Sequence, residues 1–131
     1  MLIMLFRSVE DAINQLSIIK ESLMKLHEDY GRILEKMKMN ADVEEKLVRM
    51  GFQPSHSTIT VQAIPHPINI HLAPHSSWLL NKLSTINNNI DYVIKEIDKI
   101  NNYLSTIKMK NVAVLVMIDY TNKKSRLVMM P

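Results

Sequence analysis

Two stretches of this chain carry nearly the same heptad ruler. Val9, Ala12, Leu16, Ile19, Leu23, Leu26, Tyr30, Ile33 and Met37 advance by alternating steps of 3 and 4. Leu79, Leu83, Ile86, Ile90, Val93, Ile97, Ile100, Leu104 and Ile107 do the same. A narrow a/d seam on a long helix is a surface that must meet another helix. With two seams of equal length in one chain, each satisfies the other. The pattern therefore predicts two long helices packed as an antiparallel coiled-coil hairpin.

Flanking apolar residues widen both stripes beyond a strict seam. Ile13, Ile18 and Leu34 do so on the first helix, and Leu80, Ile94 and Tyr103 on the second. Wider stripes pack against more than one neighbour. These six residues mark a second interface, of the kind that joins paired helices into a four-helix bundle.

At 131 residues the chain has length for one core and reads as a single domain over 1–131. It has no cysteine, which excludes disulfides, zinc–thiolate sites and thiol chemistry. Its 2 glycines cannot build a glycine-rich phosphate loop. No spacing links its Ser, His and acidic residues into a catalytic set, so the reading is a protein that is not an enzyme and needs no cofactor. The longest apolar run, Val112 to Ile118, is far short of a membrane span. The run Met1 to Phe6 is too short for a secretory signal. The expectation is a cytoplasmic protein with no membrane partner.

Between the rulers lies a different composition. From Met50 to Asn81 there is no Lys, Arg, Asp or Glu. Pro54, Pro65, Pro67 and Pro74 fall there, with His56, His66, His71, His75 and Trp78. Thr58 to Ile64 and Ile68 to Leu72 alternate with period two around Pro65-His66-Pro67, which predicts a hairpin over 57–73. Continuous apolarity in Val112 to Ile118 predicts a strand covered on both faces, with its partner strand completing a hairpin over 112–130. Residues 1–6 read as a strand. A long helix follows over 8–50, opened by Ser8 and Asp11 in a capping-box arrangement and broken near residue 40, where Asn40 falls on the seam. The second helix covers 77–109.

The fold class is thus α+β: two long helices and a small, mainly antiparallel sheet of four to five strands, in the order β-α-β-β-α-β-β. The first six elements match the order of the split βαββαβ arrangement of ferredoxin-like folds. Helices of ~46 Å overhang strands of ~20 Å. Residues 8–109 also resemble, in outline, the helix–hairpin–helix plan of prefoldin subunits. That resemblance implies an oligomeric platform built by the hairpin, and the strands at the two chain ends depart from it.

Three function classes follow. The first is a non-catalytic interaction or scaffold module, chaperone-like in type, that binds itself as a dimer or higher oligomer and binds another protein. Its surface includes Phe52 and Trp78 in the uncharged segment, because charge is depleted from the centre of protein contacts. The second is a small nucleic-acid-binding protein using Lys108, Lys110, Lys123, Lys124 and Arg126 on phosphates. The third is a metal or pH sensor built on His66, His71 and His75, whose neutral imidazoles suit zinc, nickel or copper.

Overall fold

The computed structural model describes residues 1–52, 57–62, 65–72 and 76–131. Its elements are β1 (Leu2–Phe6), α1 (Val9–Arg49), β2 (Ser57–Val61), β3 (Ile68–Leu72), α2 (Ser76–Ser105), β4 (Ala113–Asp119) and β5 (Lys124–Met130). The class is α+β with two helices and small antiparallel sheets, as the periodicities predict. The strands do not form one sheet. β1, β4 and β5 make a three-stranded sheet in the order β1-β4-β5, while β2 and β3, among the described residues, make a separate two-stranded sheet. The ferredoxin-like order is therefore not a ferredoxin-like fold. A 41-residue crossover helix rises ~60 Å, far more than a five-residue strand needs to return to its own sheet.

The chain resolves into two compact units. The first comprises Met1–Asp29 and Ile86–Pro131 and contains the three-stranded sheet. β4 lies at its centre, antiparallel to both neighbours. Side chains alternate across a strand, so Val114, Val116 and Ile118 share one face and are fully buried. Against them pack Val9, Ala12 and Leu16 of α1 and Ile97, Ile100 and Leu104 of α2. Lys20 pairs with Asp98 at 2.5 Å, and Asn101 Nδ2 donates to Ser17 Oγ at 3.4 Å. As α1 advances from 17 to 20 its partners retreat from 101 to 98, so the helices run antiparallel here.

Local chemistry sets the ends of α1. Asp11 N–H donates to Ser8 Oγ at 3.1 Å, the N-cap bond that the sequence predicts. The Asp11 carboxylate accepts from Arg7 N–H at 3.2 Å, so the reciprocal bond falls one residue earlier than in a capping box. Val9 N–H, another orphan of the helix start, donates to the Lys110 carbonyl at 3.2 Å. The helix passes unbroken through Asn40. A polar residue with mediocre propensity costs only a fraction of a kcal/mol, less than ~0.7, and no Pro or Gly lies between it and Gly51 to enforce an earlier stop. Termination falls at Gly51, whose φ of 91° is left-handed. Gly51 N–H donates to the Val48 carbonyl and Phe52 N–H to the Leu47 carbonyl, each at 3.0 Å, which is a Schellman motif.

The second unit, Tyr30–Thr85, holds the later part of α1, the β2–β3 ladder and the first turns of α2. Thr60 and Asn69 are cross-strand neighbours, and Thr60 Oγ1 donates to Asn69 Oδ1 at 3.0 Å. All the side chains described in the hairpin are exposed, including Val61 and Ile68.

Burial predicts the stability map. Leu16→Ala and Ile97→Ala each remove a fully buried side chain from the core. Each is expected to lower unfolding free energy by about 2–5 kcal/mol in urea titration. Ile18→Ala, at an exposed position of the same helix, is expected to stay within about 0.5 kcal/mol of wild type.

Candidate interaction surfaces

The sheet of the first unit has a second face, and it is apolar. Register places Leu5, Leu115 and Val128 in one row and Ile3, Met117 and Arg126 in the next. Ala113 and Met130 form a third row beyond Leu115. Ile3 is 60% exposed and Leu5 67%. Val128 and Met130 are also exposed, while Leu115 and Met117 are half-buried. The expectation that β4 is covered on both faces is thus met on one face only. The helix ends cover Val114, Val116 and Ile118, and these described elements leave the opposite face open to solvent. The signal for this surface was the unbroken apolarity of β1 and β4, which the helical stripes overshadowed.

Polar groups organise the covered side. Glu96 is a buried carboxylate on α2. It accepts from Lys99 Nζ at 2.6 Å and from Ser125 Oγ of β5 at 2.5 Å. The Lys99 ammonium, then the Ser125 hydroxyl, hold its carboxyl below the usual range, and burial only partly offsets them. This places one charge-assisted tie between α2 and the edge strand. At the end of the β4–β5 hairpin, Asp119 accepts from Thr121 N–H, Asn122 N–H and Asn122 Nδ2 at 3.1, 3.0 and 2.7 Å. The bonds from Asn122 hold its carboxyl low.

The five basic residues of the nucleic-acid reading are all exposed, but the structure does not gather them. Lys123 sits in the left-handed region, at φ 54°, with its ammonium 4.5 Å from the Tyr92 ring centroid. It also donates to Asn89 Oδ1 at 3.2 Å. Its charge is engaged with α2. Lys124 and Arg126 alternate to the other face of the sheet. Lys108 and Lys110 precede β4, whereas Lys124 pairs with Asp119 at its far end, ~20 Å along the strand. Of the histidines, His66 lies exposed in the bend between β2 and β3, and His71 lies on β3. His75 is outside the described residues, where the trio therefore has no geometry. Among the described residues no group of His, Cys, Asp and Glu is placed to hold a metal ion.

The apolar residues flanking the seams divide. Ile13 is half-buried against the core of the first unit. Ile18 and Tyr103 are exposed there, and Ile94 is half-buried. Tyr103 lines a cleft of about 430 Å³ with Glu96, Lys99, Arg126 and Met129. In the second unit Leu34, Trp78 and Leu80 are half-buried and Phe52 is exposed. Lys82 Nζ lies 5.8 Å from the Trp78 ring centroid. An apolar cavity of about 390 Å³ opens in the first unit, lined by Leu2, Ile19, Leu23, Ile90, Val93 and Tyr120 among others. Among the described residues no helix is long and apolar enough to cross a membrane.

Comparison with protein-family models, with curated proteins and with solved structures gives no match.

The Glu96 tie predicts an acid-side stability loss. Its carboxyl is depressed in the folded state, so its contribution is fully present above the unfolded value of 4.5 and is lost as pH falls through the lower folded value. Glu96→Gln is expected to lower stability at pH 7. It is also expected to flatten the decline below pH 4.5, read from urea midpoints across an acid pH series.

Proposed function

We propose that this chain is a non-catalytic protein–protein interaction module that self-associates through helical and sheet surfaces. In this reading α1 and α2 form an antiparallel coiled-coil hairpin, and the chain acts as a scaffold. The observation that carries it is the number of large apolar side chains left in water on regular elements. On α1 they include Met24, Ile33, Met39, Val43, Leu47 and Val48, and on the sheet Ile3, Leu5 and Val128. Ile33 belongs to the heptad seam itself, as does Leu26, yet both remain more than 40% exposed. Exposed apolar groups scattered singly are ordinary, whereas runs of them along one element mark contact surfaces.

Sedimentation equilibrium tests the reading. The expected mass is at least twice 15.2 kDa at protein concentrations up to about 100 µM. Apolar association predicts that added sodium sulfate strengthens it and that moderate sodium chloride does not dissolve it. A chain that stays monomeric throughout overturns the proposal.

A further inference from the structure

We infer that the apolar cavity of the first unit is a binding site for a single-chain anion of the fatty-carboxylate class. Its walls take the hydrocarbon chain, and Lys123 at its mouth meets the charged head. The inference stands apart from the self-associating reading and concerns a different part of the molecule.

Three observations carry it. The first is the shape of the site. Leu2 and Ile118 form the last rung of the β1–β4 ladder, and Tyr120 follows just past β4. The ladder ends there, while the seams of both helices continue. The cavity, about 390 Å³, is walled by Leu2 of β1, Ile19 and Leu23 of α1, and Ile86, Ile90 and Val93 of α2. Apolar space of about 150 Å³ already admits benzene, and ligand sites run from roughly 300 to 1,000 Å³. Along α2 the wall from Ile86 to Val93 rises ~10 Å. An elongated space with aliphatic walls from three elements suits an aliphatic chain.

The second observation is the distribution of polarity. Asn89 and Tyr120 complete the lining, and among the described residues no charged side chain takes part in it. Apolar walls with a few placed polar groups are the usual make-up of a small-molecule site. Ile90 and Val93 are buried, whereas Ile86 is 43% exposed and marks the mouth. Asn89 stands three residues from Ile86 on α2, so the two are neighbours on the helix surface.

The third is a cation at that mouth. Asn89 Oδ1 accepts from Lys123 Nζ at 3.2 Å, and the ammonium lies 4.5 Å from the Tyr92 ring centroid. An amide and a phenol ring leave its charge uncompensated. Among the described residues no carboxylate is in ion-pair range of Lys123. Asp119, the nearest acid in sequence, is engaged by Thr121 and Asn122. Lys123 also occupies the left-handed region, at φ 54°, which is costly for a lysine. A strained turn thus fixes one uncompensated cation beside an apolar opening. The ligand that satisfies both has a hydrocarbon body and a negative head.

Isothermal titration calorimetry tests this with sodium decanoate below its micelle concentration, and with decanol as the neutral probe. One saturable decanoate site per chain is expected, in the micromolar range. Lys123→Met is expected to weaken decanoate about fivefold and to leave decanol unchanged. Lys123→Arg keeps the charge and is expected to keep the affinity. Ile86→Glu, at an exposed position, is expected to weaken decanoate at least as much as Lys123→Met. Leu23→Trp fills the cavity and is expected to abolish binding of both probes while far-UV circular dichroism stays that of wild type. No saturable heat with wild-type protein overturns the inference. Equal losses for decanol and decanoate in Lys123→Met overturn the anionic class. Binding that neither Leu23→Trp nor Ile86→Glu weakens lies elsewhere on the chain, and overturns the cavity. Decanoate that dissociates a wild-type oligomer assigns the cavity to a side chain of a second copy, and overturns the ligand. A monomer that binds decanoate as described supports this inference and overturns self-association alone.

Discussion

The structure of the first unit depends on one layer of contact, the inner face of β4 against two helix ends. Val114, Val116 and Ile118 are fully buried there, as are Val9, Ala12 and Leu16 of α1 and Ile97 and Leu104 of α2. Every other element of the unit is positioned by this layer. β1 and β5 acquire their places by pairing with β4. α1 is anchored at its first turns, where the Val9 amide bonds the Lys110 carbonyl. α2 is anchored near its end, where Glu96 bonds Ser125 on the edge strand. Hydrophobic burial supplies the driving force, and the polar ties set register.

Burial along the heptads follows from the same layer. Ile90, Val93, Ile97, Ile100 and Leu104 are buried, while Ile86 on the same ruler is exposed. On α1 the ruler goes from buried Leu16 through half-buried Ile19 and Leu23 to exposed Leu26. A two-helix seam alone shields each residue from one side. A seam that also lies on a sheet is shielded from two. The heptad pattern is uniform, but its energetic weight is concentrated where the third layer exists.

Much of the architecture was legible because its signals are local. Alternating steps of 3 and 4 specify helix wherever the helix packs. Gly51 and Ser8 punctuate α1 through hydrogen bonds within a few residues. The prolines around His66 separate β2 from β3. Partition of the strands was not legible, since period-two alternation states which face a strand offers and says nothing about its neighbour. Asn40 misled for a related reason: a polar residue on a seam alters the contact it makes and leaves the backbone free to continue. Lys123 in a left-handed turn position was invisible too, because its compensation comes from Tyr92 and Asn89, which lie far away in sequence. The basic cluster looked contiguous in sequence, but strand alternation sends Lys123 and Lys124 to opposite sides.

The pairing of Leu2 with Ile118 has a consequence for how the chain comes to be folded. β4 and β5 are joined by a short turn, and their ladder needs few residues to close. β1 must wait for a partner more than a hundred residues away. Closing a flexible loop of that length costs about 4 kcal/mol of chain entropy. The two helices lower that cost by replacing slack chain with rigid rods. During synthesis, β1 leaves the ribosome more than a hundred residues ahead of its strand partner. For that whole interval a five-residue apolar strand, without proline or charge, has no native neighbour. Folding of this chain is therefore a race between forming the helices that bring β4 to β1 and pairing β1 with the wrong edge.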